Sequence, residues 1–463
     1  MASVLPKELL TSLEGLPGFD AAAFEQVHAE GPQVTSIRLN PAKVSVDGLG
    51  GTPAWLPLGA SRVPWSSSGY YLPQRPSFTF DPLLHAGAYY VQEASSMFLE
   101  QALRQTTDLS QSLRVLDLCG APGGKSTLLQ SLLSPDSLLI SNEVIRTRVH
   151  VLQENMVKWG GANTFLTSND PRDFQRLENY FDVMVVDAPC SGSGLFRRDP
   201  TAMEEWSPDN VQLCRQRQQR ILADVWPALR KDGLLIYSTC SYSREENEDI
   251  LDWITQDLQA TSCRLEVSAD WKVVETTGKN GAYGYRFYPD KVKGEGLFIA
   301  CLRKTEGGAY VAPRKRTVPE KPAKKDEERV NAWIRPEASP FLFYHQELIY
   351  GLPASLAADL PVIQSSCYLK RAGVPLGKLS VKEFIPEHDL ALSTLIHPQL
   401  PALELSREQA LHYLRKEELH PGETGRGWTL VQYGGLNLGW IKILPGRINN
   451  YYPKEWRILR REG

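Results

Sequence analysis

The sequence predicts an α/β protein built on a doubly wound, mostly parallel sheet. Two observations predict it. Between about residues 113 and 303, short apolar runs alternate with amphipathic helical patterns. The runs are continuously apolar, as strands covered on both faces must be. In such sheets ligands sit at the C-terminal ends of the strands, so the polar residues after each strand carry the functional information.

The strand candidates are RVLDL (114–118), SLLIS (137–141), NTFLT (163–167), FDVMVVDA (181–188) and GLLIYST (233–239). Helices are expected over 125–133, 146–158 and 208–229. In the last, Val211, Cys214, Ile221, Leu222, Val225 and Leu229 share a face. Residues 86–103 also look helical. Pro, Lys and Gly dominate 307–328 without hydrophobic periodicity, which reads as a linker. The expected division is therefore 1–105, 106–305, a basic linker at 306–328, and a C-terminal region at 329–463.

At 463 residues the chain has room for about three domains. Its composition, 42% hydrophobic and 23% charged, excludes wholesale disorder. No apolar run approaches the ~18 residues of a membrane span, and the N-terminus lacks a secretory pattern. Seven cysteines are too few for a disulfide scaffold and point to a reducing, cytoplasmic setting. The net charge of −3 hides two basic stretches. One is 303–325; the other is the tail from 441, where the charges interleave with Tyr451, Tyr452 and Trp456. Basic groups attract phosphates and aromatic faces stack on bases. A solvated surface is the plainer reading of either stretch alone.

The first strand runs into Asp117-Leu-Cys119-Gly120-Ala121-Pro122-Gly123-Gly124-Lys125-Ser-Thr. Glycines permit a tight turn and close approach of a ligand, and a helix starting near Lys125 presents free N–H groups. A phosphate-binding P-loop needs four residues between Gly and Gly-Lys-Ser; only three separate Gly120 from Gly124, which argues against a nucleotidase. An adenosyl cofactor is the other candidate. It calls for an acid after the second strand to bind the ribose, and Glu143 lies 20 residues beyond Gly123. Asp170, after the third strand, is placed to accept from an adenine amino group. Singly, each acid is also an ordinary helix cap.

The fourth strand ends in Asp187-Ala-Pro-Cys190 and the fifth in Thr239-Cys240-Ser241. If these strands pair, their axes are ~4.8 Å apart and both thiols converge beside Asp187. Buried, inert thiols suit Cys214, Cys263, Cys301 and Cys367. They suit Cys190 and Cys240 poorly, because each lies in a polar loop just past a strand. No Cys or His pair has zinc-ligand spacing, so no metal is expected. Carbon 5 of cytosine is a poor nucleophile. A thiolate adding to carbon 6 makes carbon 5 reactive toward an electrophilic methyl group, with a carboxyl assisting at ring nitrogen 3.

These residues resemble the RNA cytosine-5 methyltransferases of the Nol1/Nop2/Sun family. The resemblance covers about 80–303 and includes YYVQEASS (89–96), DLCGAPGGKST (117–127), NE (142–143), DAPCSGSG (187–194) and STCSYSREENE (238–248). It implies a Rossmann-like domain that binds S-adenosylmethionine. Cys119, Gly120, Ala121, Pro122, Gly123, Gly124 and Lys125 would line the cofactor, Glu143 its ribose and Asp170 its adenine, with Asp187 holding the target base beside it. Cys240 would be the nucleophile, and Cys190 would help resolve the adduct. Arg38-Leu39-Asn40 resembles the family's N-terminal RNA-binding part. The segments GVPLG (373–377) and GGLNLGWIKILPGRINNYYPKEWR (434–457) resemble the β-rich PUA-like domain of a bacterial subfamily acting on 16S ribosomal RNA. That implies the small-subunit RNA as partner, with Tyr451, Tyr452, Lys454 and Arg457 as contacts. Methylation of another RNA such as tRNA, and a non-catalytic ribosome-assembly factor, are the competing readings.

Overall fold

The computed structural model describes residues 5–44, 53–311, 319–419 and 425–461. A ten-stranded sheet runs through its centre. Its parallel part comprises β1 (Arg114–Asp117), β2 (Leu138–Asn142), β3 (Thr164–Thr167), β4 (Phe181–Asp187) and β5 (Leu229–Thr239), in the spatial order β3-β2-β1-β4-β5. Four antiparallel strands extend it past β5: β6 (Ala260–Cys263), β7 (Val274–Thr277), β8 (Tyr283–Phe287) and β9 (Leu297–Lys304), with β9 directly beside β5.

Successive residues of each parallel strand enter opposite cores. Leu116, Ile140 and Met184 face one side; Val115, Leu139 and Val183 face the other. This is the two-sided burial that continuous apolar runs require. Helices α1 (Gly124–Leu132), α2 (Arg146–Trp159), α3 (Pro208–Val225) and α4 (Glu248–Asp257) cover the faces. Helix α3 ends earlier than its apolar stripe suggests. Trp226–Ala228 is a single 3-10 turn, and Leu229 already begins β5. Pro227 supplies no N–H to continue the α-helix.

Two expectations fail here. Residues 86–103 are not one helix: Tyr89–Val91 is a strand, Ser95–Phe98 a 3-10 turn, and only Leu99–Thr106 is α-helical. Tyr, Tyr and Val prefer the pleated, half-buried surface that a neighbouring strand offers. Tyr89–Val91 pairs with Thr35–Leu39 in a four-stranded N-terminal sheet. The linker is also shorter than expected. Tyr310 packs on Tyr180 of the central core, with ring centroids 4.9 Å apart, and a helix spans Lys324–Asn331. Residues 312–318 of that linker lie outside the described residues.

The C-terminal region is not simply appended. Its strand β10 (Leu369–Ala372) pairs antiparallel with β3 and completes the central sheet. Leu356, Leu360, Ile363 and Cys367 belong to the same core cluster as β1 and β4. Asp359 accepts from Arg114 Nε at 2.9 Å and from the Tyr180 hydroxyl at 2.5 Å. The same region holds two four-stranded sheets, one built from strands between 341 and 386 on either side of β10 in the chain and one over 402–450. Among the described residues, no helix is long and apolar enough to cross a membrane.

Candidate active site

The loops leaving β1, β2 and β3 are joined by one side chain. Asn142, at the end of β2, donates to Leu118 O at 3.1 Å and Asn169 O at 3.0 Å. Its oxygen accepts from Thr167 Oγ1 and Asn169 N, both at 2.9 Å. Asn142 O accepts from Gly120 N at 2.7 Å. The turn before α1 needs Gly123, whose φ is +116°. Asp117 is fully buried and accepts from Ser126 Oγ at 2.6 Å. Burial pushes its pKa up to about 7, against the hydrogen bond from Ser126.

These loops form one wall of a cleft of about 440 Å³ at the C-terminal edge of the sheet. Of the glycine-loop residues, Cys119 and Ala121 line it. Gly120, Pro122, Gly123, Gly124 and Lys125 do not. They shape the turn, and Lys125 reaches Asp187 Oδ2 at 2.8 Å. Burial and nearby Asp117 keep the Cys119 thiol protonated. Glu143 lines the cleft with one oxygen accepting from Ile145 N at 2.8 Å and the other 3.5 Å from Arg148. Asp170 lies at the mouth. Burial would raise its pKa, but hydrogen bonds and charge from Arg172 hold it below the usual value.

Strands β4 and β5 pair in parallel, with Asp187 opposite Ser238. The register brings Cys190 and Cys240 together, Sγ to Sγ 3.1 Å, both half-buried on the cleft wall. Asp187 is fixed between Lys125 and Ser238 Oγ, the latter at 2.8 Å. The contact with Cys240, burial, and the charges of Cys240 and Glu246 push the Cys190 thiol well up. Burial and this contact thus favour the protonated form of Cys190. The loops approach so closely that a Cβ on Gly194 would lie 2.8 Å from Cys240 O.

The proposed RNA contacts divide. Arg38 is 1% exposed and sits inside a joint: Nε donates to Gln92 Oε1 at 2.7 Å, and Nη2 to Thr127 Oγ1 at 2.6 Å. Burial lowers its pKa to about 9. Asn40 donates to Gly87 O and Trp159 O and is equally buried. Both rivet the N-terminal sheet to α1 and α2 and are out of reach of RNA. Tyr452 is 2% exposed and packs on Tyr413 and His388, so it cannot stack on a base. Tyr451, Lys454 and Arg457 are at the surface.

The sequence reading missed several cleft residues. Exposed Val144 and Ile145 give an apolar wall, and Arg217 and Arg220 rim the mouth from α3. The three-residue spacing of those arginines on a long helix was the available signal.

An adenosyl donor fits this arrangement: an apolar wall for its ring, a buried carboxylate, and backbone brought close by glycine. The family described as 16S rRNA methyltransferase RsmB/F matches residues 105–303. An RsmF N-terminal domain matches 5–94 and an RsmF PUA domain 400–458. The ribosomal RNA small subunit methyltransferase F of Aliivibrio fischeri strain MJ11 is 31% identical, over 92% of this chain and 91% of that protein. This chain belongs to the RsmF family of 16S rRNA methyltransferases. The Escherichia coli strain HS relative is 28% identical over 92% of this chain and 90% of its own length. Among solved structures, a Pyrococcus horikoshii methyltransferase homologue is 28% identical with a TM-score of 0.50, covering 65% of this chain and all of its own. NSun6 from Pyrococcus horikoshii, crystallised with SFG, an S-adenosylmethionine analogue, has the same fold: TM-score 0.54, 20% identity, 66% of this chain and 100% of that one. The RsmF-family chain is thus an S-adenosylmethionine-dependent RNA methyltransferase with a Rossmann-like catalytic core and a C-terminal PUA domain.

Proposed function

We propose that this enzyme methylates carbon 5 of a cytosine in 16S ribosomal RNA, within the cytoplasmic small subunit, through a transient Cys240–carbon 6 bond. The observation that carries the reading is the 3.1 Å pairing of Cys190 and Cys240 beside Asp187 on one cleft wall. Bound S-adenosylmethionine supplies an electrophilic methyl group. Glu143 would hold its ribose and Asp170 its adenine, and Cys119 and Ala121 would line its site.

Cys240 is assigned as the nucleophile from its place in the Thr239-Cys240 motif, with Cys190 as the neighbouring thiol that helps resolve the adduct. As Cys240 sulfur adds to carbon 6, the thiol's proton passes to ring nitrogen 3, and Asp187, held by Lys125 and Ser238, binds that polar edge of the base. Carbon 5 would then be able to take a methyl group from the sulfonium of a bound donor, whose S–CH3 bond breaks to leave a neutral thioether. Loss of the carbon 5 proton lets the carbon 6–sulfur bond break, returning its electron pair to Cys240. Cys190, in contact with that sulfur, is the group positioned to assist this last step. Tyr451, Lys454 and Arg457 would contact the RNA from the tail.

The test is transfer of labelled methyl from the donor to unmodified 16S RNA, with bisulfite sequencing of the product. Cys240→Ala should lose on the order of 10³-fold or more in kcat and form no covalent RNA complex. Cys190→Ala should accumulate that complex. Full activity in Cys240→Ala ends the assignment, and trapping by Cys240→Ala alone means the two roles are exchanged.

A further inference from the structure

We propose that Glu246 is a positioning residue whose single carboxylate holds the two cysteine loops at their working separation. The inference rests on the assignment of Cys190 and Cys240 above. Glu246 ends the 3-10 turn Arg244–Glu246 and is fully buried. Its Oε1 accepts from Ser191 N at 2.9 Å and from Gln218 Nε2 of α3 at 3.1 Å. Its Oε2 accepts from Ser191 Oγ at 2.5 Å and Ser241 Oγ at 2.6 Å. Ser191 follows Cys190 and Ser241 follows Cys240. One carboxylate thus grips the residue next to each thiol.

Stability alone does not explain a carboxylate here. Its four hydrogen bonds come from neutral donors, and no ion pair to it is found among the described residues. Burying a charge without a countercharge is unfavourable. Burial raises the Glu246 pKa against the four hydrogen bonds. The next two residues have a narrower task. Asn247 accepts from Thr239 Oγ1 at 2.6 Å and donates to Ser241 O at 2.8 Å. Glu248 pairs with Arg286, whose Nη1 donates to Tyr242 O at 2.7 Å. Both brace the Cys240 loop only, whereas Glu246 spans the two loops. Gly194 N also donates to Cys240 O, and Ser193 Oγ accepts from Tyr242 N. Together with the 3.3 Å contact between the Ser191 and Ser241 hydroxyls, these keep the loops joined when Glu246 is altered.

A reaction that adds through one sulfur and resolves with help from its neighbour depends on their spacing. The experiment reads that spacing directly, then through turnover. Full-length protein is treated with diamide, an azo oxidant; the two thiols lose two protons and two electrons, form a disulfide, and reduce the reagent to its hydrazine. Peptide mapping follows the Cys190–Cys240 link in wild type, Glu246→Gln and Glu246→Ala. Linking should slow by about tenfold or more in Glu246→Ala and less in Glu246→Gln, which retains its size and one acceptor oxygen. With labelled donor and 16S RNA, kcat in Glu246→Ala should fall roughly 10- to 100-fold while KM for the donor moves less than about twofold. Wild-type linking rates in Glu246→Ala, or a change confined to donor KM, overturn the proposal. Slower linking in the variant, alongside a wild type that methylates no cytosine, supports the clamp and sinks the proposed function instead.

Discussion

The central sheet has a cavity at each edge, and the larger one contains none of the candidate catalytic residues. At the N-terminal ends of β2 and β3, a space of about 790 Å³ lies between the N-terminal region, the sheet and the C-terminal region. Asn40, Trp159 and Arg335 line it, and both polar atoms of the Gln130 amide are buried there without partners among the described residues. The cleft at the other edge has little more than half that volume. Yet there the loops are tied side chain to backbone by Asn142, and Asp187 is fixed from two directions. Volume does not make a site. Polar groups pre-aimed by bonds between loops do.

The contrast can be broken at three points, beginning with the largest expected effect. Asn142→Ala strips partners from Leu118 O, Asn169 and Thr167 at once. It should destabilise the fold by roughly 2–4 kcal/mol in urea unfolding and weaken S-adenosylhomocysteine binding in calorimetry. Unchanged ligand affinity would mean that the three loops are held by something else.

Asp117→Asn probes the same edge through pH. The folded pKa of about 7 lies above the usual carboxylate value, so the folded protein binds the extra proton. Stability from this group is complete below the unfolded pKa, falls as pH rises toward 7, and levels off above it. The melting temperature of Asp117→Asn relative to wild type should therefore climb between about pH 4 and 7 and then stay flat. A constant offset across that range would refute the buried-acid reading.

Gln130→Leu, at the opposite edge, should change least. Removing an unpartnered amide should leave methyl transfer intact and shift stability by no more than about 1 kcal/mol, toward the folded state. A loss of activity would show that the larger cavity takes part after all.

What was legible in the sequence was local. Continuous apolar runs marked the five parallel strands, and cysteines placed just beyond two of them marked the candidate chemistry. Pairing those loops required only that β4 and β5 be neighbours. What was not legible depended on distant packing. Arg38, Asn40 and Tyr452 carry side chains suited to RNA, and only their neighbours from other regions bury them. Tyr89–Val91 became a strand because Thr35–Leu39 lies alongside. Glu246 reads in sequence as one acid among several after Cys240, and the loop it reaches lies more than fifty residues upstream. Strand β10 is four residues long and gains its identity from an edge about two hundred residues earlier.

That short strand sets where the catalytic unit ends. An unpaired outer edge on β3 would offer free N–H and C=O groups to any passing chain, an invitation to stick. Leu369–Ala372 closes it, and Tyr368 N donates to Asn169 Oδ1 at 2.8 Å, next to the acid assigned to adenine. Cutting after β9 would expose that seam and take away a support of the Asp170 end of the cleft. The C-terminal region and the methyltransferase core are thus sewn together by main chain, rather than strung on a tether.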